Sequence, residues 1–352
     1  ECCRLNVRKL VEHVQRVLWD GGPGAEVVDA QYTRLLLQLL GCSGWQTALP
    51  ASLCRGVLQL VCRNLRQEKG DAVVLSKALH ILVAEGFYQE RLEEVLDALS
   101  KSFTRETGSG SLVSPQLAVL LEVCRRLGAS RRQLLCSVGE PILRSLLVLF
   151  TRNSLQLKEL ALEFLALQLS LHHPGGDTGA SQRGSGQLAD EDDLWSALLG
   201  EWHALLMRML QHTSASSTIL TAQEVSLRRA QVWLLAESLH QLKSSRKPCG
   251  ALPDAVDSLC GLSPTKEALP WLEVVACYLW KYPETAAHAV TSLRKLLEFL
   301  TQCYSACKLL YVKRCILLCY SAAVRAYGPR KACQTGKKPW PVWTLMWEQT
   351  IK

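Results

Sequence analysis

Residues 139–176, GEPILRSLLVLFTRNSLQLKELALEFLALQLSLHHPGG, constrain the fold of this chain more than any other stretch. They read as two amphipathic helices joined at Arg152–Ser154 and stopped by Pro174-Gly175-Gly176. Leu143, Leu146, Leu147 and Phe150 recur at i, i+3, i+4 and i+7, the spacing of one buried helical stripe. Leu157, Leu160, Ala161, Phe164, Leu165 and Gln168 form the matching stripe on the second helix. A helix pair of this kind buries its apolar faces only by stacking on similar pairs. The expectation is an all-α fold, an α-solenoid of HEAT-like antiparallel helix pairs.

The rest of the chain supplies such pairs. Helix signals return about every 20 residues, so a pair takes about 40, the period of HEAT-type repeats. Helices are predicted over 3–19, from Asp29 to Gly41, from Ser52 to about Gln67, from Asp71 onward, and around Leu92, Val95, Leu96 and Leu99. TRETGSGS, 104–111, reads as a flexible loop, and Ser114-Pro115 as the start of a helix ending at Arg126. Further helices are predicted over 133–150, 155–171, 194–210, 219–242, 266–281, 285–302 and 308–327. Residues 174–193, rich in Gly, Ser and Asp, read as an internal disordered loop. Residues 243–264, broken by prolines and glycines, hold at most one short helix. Period-2 alternation of the kind that marks strands is nearly absent. The 352 residues are therefore read as one continuous array, 1–352.

Uninterrupted apolar runs peak near 145–150 and 316–320. They fall far short of the roughly 20 residues that span a bilayer, so no membrane contact is expected. The chain opens on Glu1 with no charged-then-apolar leader, and reads as an intracellular fragment of a longer protein. Fifteen cysteines fall within helical patterns, Cys54, Cys62, Cys124, Cys136 and Cys277 on or beside apolar stripes. They read as free core thiols in a reducing compartment. The net charge of +8 is concentrated late in the chain. Residues 240–352 carry 16 Lys/Arg against 7 Asp/Glu, and residues 1–239 carry 24 against 25. Arg325, Arg330, Lys331, Lys337 and Lys338 follow one another with no acid between them. They are candidate contacts for DNA phosphates or an acidic partner, and a solvated loop between two helices is the simpler reading. Trp340, Trp343 and Trp347 share one helical face at i, i+3 and i+7. They are a candidate exposed packing face, read as awaiting a following repeat.

Two blocks carry a family resemblance. The first is the opening pair, with its acidic-Pro-Ile-Leu start at Glu140–Leu143, the Leu-Lys-Glu of its second helix and the closing Leu171-His172-His173-Pro174-Gly175. The second is LPWLEVVACYLWKYP, 269–283. Both resemble the N-terminal helical spiral of the phosphatidylinositol-3-kinase-related serine/threonine kinases, and the helix order around them fits most of the chain. The resemblance implies a scaffold or regulatory segment that binds protein partners of DNA double-strand-break signalling, and DNA as well. It implies telomere maintenance, checkpoint control and nuclear localisation, with cytoplasm as a second site. Its further implications are contact with the remaining repeats of a homodimeric parent, and ATP and a divalent metal only in a kinase domain elsewhere in that parent. A free-standing helical-repeat adaptor for transport or trafficking, without kinase activity, is the alternative.

Catalytic residues are not apparent in the sequence. GSGS, 108–111, lacks the strand-and-helix setting of a phosphate loop, and neither Asp-Phe-Gly nor His-Arg-Asp occurs. Cys303, Cys307, Cys315 and Cys319, paired at i, i+4, are the best metal candidate. Structural zinc prefers tighter ligand spacing in loops, so core thiols are the better reading and no metal or cofactor is expected in this chain. His172-His173 suits a helix C-terminus, where imidazole meets the negative end of the dipole. Ser181-Gln182 matches the Ser/Thr-Gln preference of the resembled kinases, which makes Ser181 a weak phosphosite candidate.

Overall fold

The computed structural model describes Leu58, Val61, Cys62 and residues 92–105, 110–151, 154–172, 187–215, 220–242, 251–263 and 266–334. The predicted helices of the first 90 residues otherwise lie outside the described residues. The apolar stripes dictate the architecture. Every regular element among the described residues is a helix, in an all-α helical-repeat fold. The chain divides into two compact units, Glu1–His172 and His173–Lys352.

The first unit contains α1 (Leu92–Arg105), α2 (Gly110–Leu127), a 3-10 turn (Gly128–Arg131), α3 (Arg132–Phe150) and α4 (Leu155–His172). Helix α1 packs on α2 and α3, and α4 packs on α2 and α3. Two layers result, α1 with α3 and α2 with α4. Gly128 takes φ +59°, the left-handed conformation that ends a helix at little cost for glycine. On α3 the predicted Leu143, Leu146 and Phe150 are buried, as are Ile142 and Leu149, while Leu147 is half-buried. On α4, Leu157, Ala161, Phe164, Leu165 and Gln168 are buried and Leu160 is half-buried. Leu162, Leu169 and Leu171 are buried too, because α4 meets neighbours on more than one side. Gly139 lies directly against the Gln168 amide, and a Cβ there would overlap it. The glycine is what lets the two helices approach at this point.

Helix α3 is, by length and composition, long and apolar enough to cross a membrane, with a mean hydropathy of 1.4. Counting uninterrupted apolar runs missed this. Its apolar side faces α1 and α4, and Glu140 and Arg144 pair across one turn at 2.9 Å near its middle. Both features are those of an amphipathic helix that packs on one face.

The second unit contains α5 (Gln187–Ala215), α6 (Ala222–Gln241), α7 (Leu252–Cys260), α8 (Leu269–Lys281), the single turn α9 (Pro283–Ala286), α10 (Val290–Ala306) and α11 (Leu310–Gln334). Helix α6 packs on α5 and α8, α8 on α11, α7 on α10, and α10 on α11. The layers are α5, α7 and α10 on one side and α6, α8 and α11 on the other. Trp202 and Tyr278 are among the largest fully buried side chains. Thr221 starts α6 with a capping box: its Oγ1 accepts from Glu224 N–H at 3.2 Å, and Glu224 Oε2 accepts from Thr221 N–H at 2.8 Å.

Several boundaries differ from expectation. Helix α2 begins at Gly110, so part of TRETGSGS is helical and Pro115 lies inside the helix. Helix α5 begins at Gln187, so the acidic run Asp190–Asp193 lies in its opening turns, where negative charge suits the dipole. Helix α11 continues through Gly328-Pro329 to Gln334, so Arg330 and Lys331 stand on helix and not in a loop. Proline removes one backbone hydrogen bond and costs about 3 kcal/mol in a helix interior, which a long packed helix can absorb.

Candidate functional site

The layer formed by α6, α8 and α11 carries the chemically distinctive surface of the second unit. Leu272, Val275 and Leu279 face inward along α8 and are buried. Trp280 is the next residue round the helix from Leu279, so it points off the buried stripe and remains 44% exposed. On α11, Ile316, Cys319 and Ala323 are buried, and Leu318, on the opposite side, is 50% exposed. A cleft of about 430 Å³ lies between the three helices, its apolar lining including Val225, Val232, Leu272, Trp280 and Leu318. Arg228, Arg229, Glu273 and Cys315 complete it.

Charge at this face is mostly positive. Arg228 is committed: its guanidinium donates to Glu273 Oε2 at 2.6 Å, Ser214 Oγ at 2.9 Å and Thr213 Oγ1 at 3.1 Å. Burial pushes the Glu273 carboxyl up, and the arginine opposes the shift. Arg229 is exposed and makes no ion pair among the described residues. The guanidinium of Arg325 stacks over the Trp280 ring, 4.7 Å from its centroid.

A second aromatic-basic cluster sits near the end of α6. Lys281 Nζ stands 3.8 Å from the Trp233 ring centroid and pairs with Glu237. Burial raises the Glu237 pKa, but hydrogen bonds from Lys281 and Tyr282 outweigh it, and the net direction is down. Tyr282 is pushed up by burial and by its bond to Glu237, and His240 stacks on its ring at 3.8 Å. This cluster joins α6 to the end of α8. None of its groups forms a nucleophile–base arrangement.

Arg325 is thus the one predicted basic contact whose side chain is placed, and it stands beside the cleft, over Trp280, without lining it. Arg330 and Lys331 lie further along α11. Lys337, Lys338, Trp340, Trp343, Trp347 and Ser181 lie outside the described residues. His172 is the last residue of α4, as its sequence setting implied. Cys303, Cys307 and Cys319 are buried and Cys315 is half-buried, all as free thiols. Among the described residues no group of three or more His, Cys, Asp or Glu is placed to hold a metal ion. Burial pushes the Cys303 thiol up to about 11 and Cys319 further, so the protonated form is favoured. Trp280, Leu318 and Arg229 were not singled out from sequence. The signal available was an apolar residue one step off its helix's buried stripe.

Stacked helix pairs presenting a continuous side-chain face define a helical-repeat scaffold. Over 298 residues the chain is 22% identical to serine-protein kinase ATM of Sus scrofa, an alignment covering 74% of this chain. The chain spans only 9% of that kinase's length. No protein-family model matches the chain.

Proposed function

We propose that this chain is a scaffold segment of an ATM-like serine/threonine protein kinase, an N-terminal array that holds protein partners for a catalytic domain elsewhere in the parent. The similarity to ATM across most of the chain, in a fold made of the helix pairs such an array needs, is the observation that carries the reading. A solenoid binds through side chains displayed along a layer, and the α6–α8–α11 layer displays exposed tryptophans and unpaired arginine. In this role the parent acts in double-strand-break signalling, checkpoint control and telomere maintenance, in the nucleus and as a homodimer. ATP and a divalent metal belong to its kinase domain. The basic residues Arg330, Lys331, Lys337 and Lys338 add a DNA contact whose affinity falls steeply with salt.

Reading the transcript beyond the codon for Lys352 tests the proposal. A long run of further helical-repeat sequence ending in a kinase domain is expected. A stop codon soon after a polar capping helix would overturn it in favour of a free-standing adaptor.

A further inference from the structure

Trp280 and Leu318 line one cleft, and both large apolar side chains stay about half-exposed there. Burying either against a partner would remove further apolar surface from water, which favours association. The cleft's volume of about 430 Å³ suits two or three inserted side chains. Its one carboxylate, Glu273, is already held by Arg228, whereas Arg229 and Arg325 have no carboxylate of their own among the described residues. The cleft is therefore apolar at its floor and uncompensated positive at its rim.

We infer that the cleft between α6, α8 and α11 docks an acidic amphipathic helix of a protein partner, which inserts apolar side chains between Trp280 and Leu318 and sets carboxylates against Arg229 and Arg325. A helix presents apolar residues at i, i+3 and i+4 along one stripe, with flanking positions free for Glu or Asp. A nucleic acid would satisfy the arginines but leave the apolar floor wet. A basic peptide would fill the floor but meet like charge. The inference names the partner class for the scaffold role proposed above and rests on that reading of the layer as a docking face. The cleft lies wholly within the second unit, so its test is independent of whether a kinase domain follows.

The experiment uses the full chain and a fluorescein-labelled peptide of about 20 residues, long enough for five helical turns, built of Glu, Ala and leucines at i, i+3, i+4 and i+7. Anisotropy is expected to show saturable binding that weakens with added salt. Replacing every Glu by Lys, or the leucines by Ser, is expected to weaken it about tenfold or more, a change of about 1.4 kcal/mol. Leu318→Asp and Arg229→Glu change exposed side chains, so the fold should survive, as circular dichroism melts would verify. Each is expected to weaken binding by a similar factor. Absence of binding, equal binding of the lysine peptide, or binding unchanged in both variants would overturn the inference. So would displacement of the peptide by a DNA duplex, or occupation of the cleft by a second copy of the chain, seen as self-association that Leu318→Asp abolishes.

Discussion

His203 on α5 is a titratable group placed where charge is costly. Its Nδ1 lies 2.7 Å from Ser238 Oγ, and that hydroxyl donates its single proton to the Leu235 carbonyl at 2.8 Å. The imidazole Nδ1–H therefore donates to the serine. Burial lowers its pKa to about 4 from an ordinary value of 6.5. The unfolded chain takes up the proton first, so this contribution to stability is complete above pH 6.5 and declines as pH falls toward 4. The loss is expected to be about 2 kcal/mol, read from urea unfolding between pH 7 and 4.5, and His203→Gln is expected to flatten it. Cys124, buried on α2, is pushed up to about 12, and Cys319 on α11 is also driven upward. Both thiols are expected to resist a thiol reagent at pH 8 in the native chain and to react once it is unfolded. Rapid native modification of either would show that its helix does not pack as described. At this scale the sequence was only partly legible. Apolar stripes identified buried residues such as Phe150, Phe164 and even Gln168, because burial follows helical period. They did not reveal His203 beside Ser238, because that contact joins α5 to α6 across 35 positions and no local pattern encodes it.

At the scale of elements, Arg228 holds one end of the second unit together. It stands on α6 and bonds the last turn of α5 through Thr213 and Ser214, and α8 through Glu273. Removing it strands a carboxylate that burial already disfavours. Arg228→Met is expected to cost about 2 kcal/mol in denaturant unfolding, and Arg228→Met with Glu273→Met to recover much of it. Equal destabilisation in the single and double variants would show that the pair is not the hinge of this packing. The longer helices of the described region were legible, since stripes at period 3.6 survive any detail of packing, but the predicted helix over 285–302 is in fact the single turn α9 followed by α10 from Val290. Helix ends were less legible. Gly328-Pro329 looked like a stop, yet α11 runs through it, because tertiary contact can outweigh one lost backbone bond. The acidic residues before Leu194 looked like loop, yet they open α5, because composition that suits solvent also suits a helix N-terminus.

At the scale of the whole molecule, the role proposed for this chain is that of a binding segment within a larger ATM-like kinase. The apolar floor and arginine rim of the α6–α8–α11 cleft, and the similarity to ATM over most of the chain, point the same way. The most direct measurement compares the purified 352-residue chain with the endogenous protein captured by an antibody raised against residues 266–334. Both would be assayed for phosphorylation of a Ser-Gln peptide. The captured protein is expected to be far larger than 39.1 kDa and to phosphorylate the peptide, while the isolated chain does not. Captured protein of about that mass, with no kinase activity on the peptide, would contradict the proposed role.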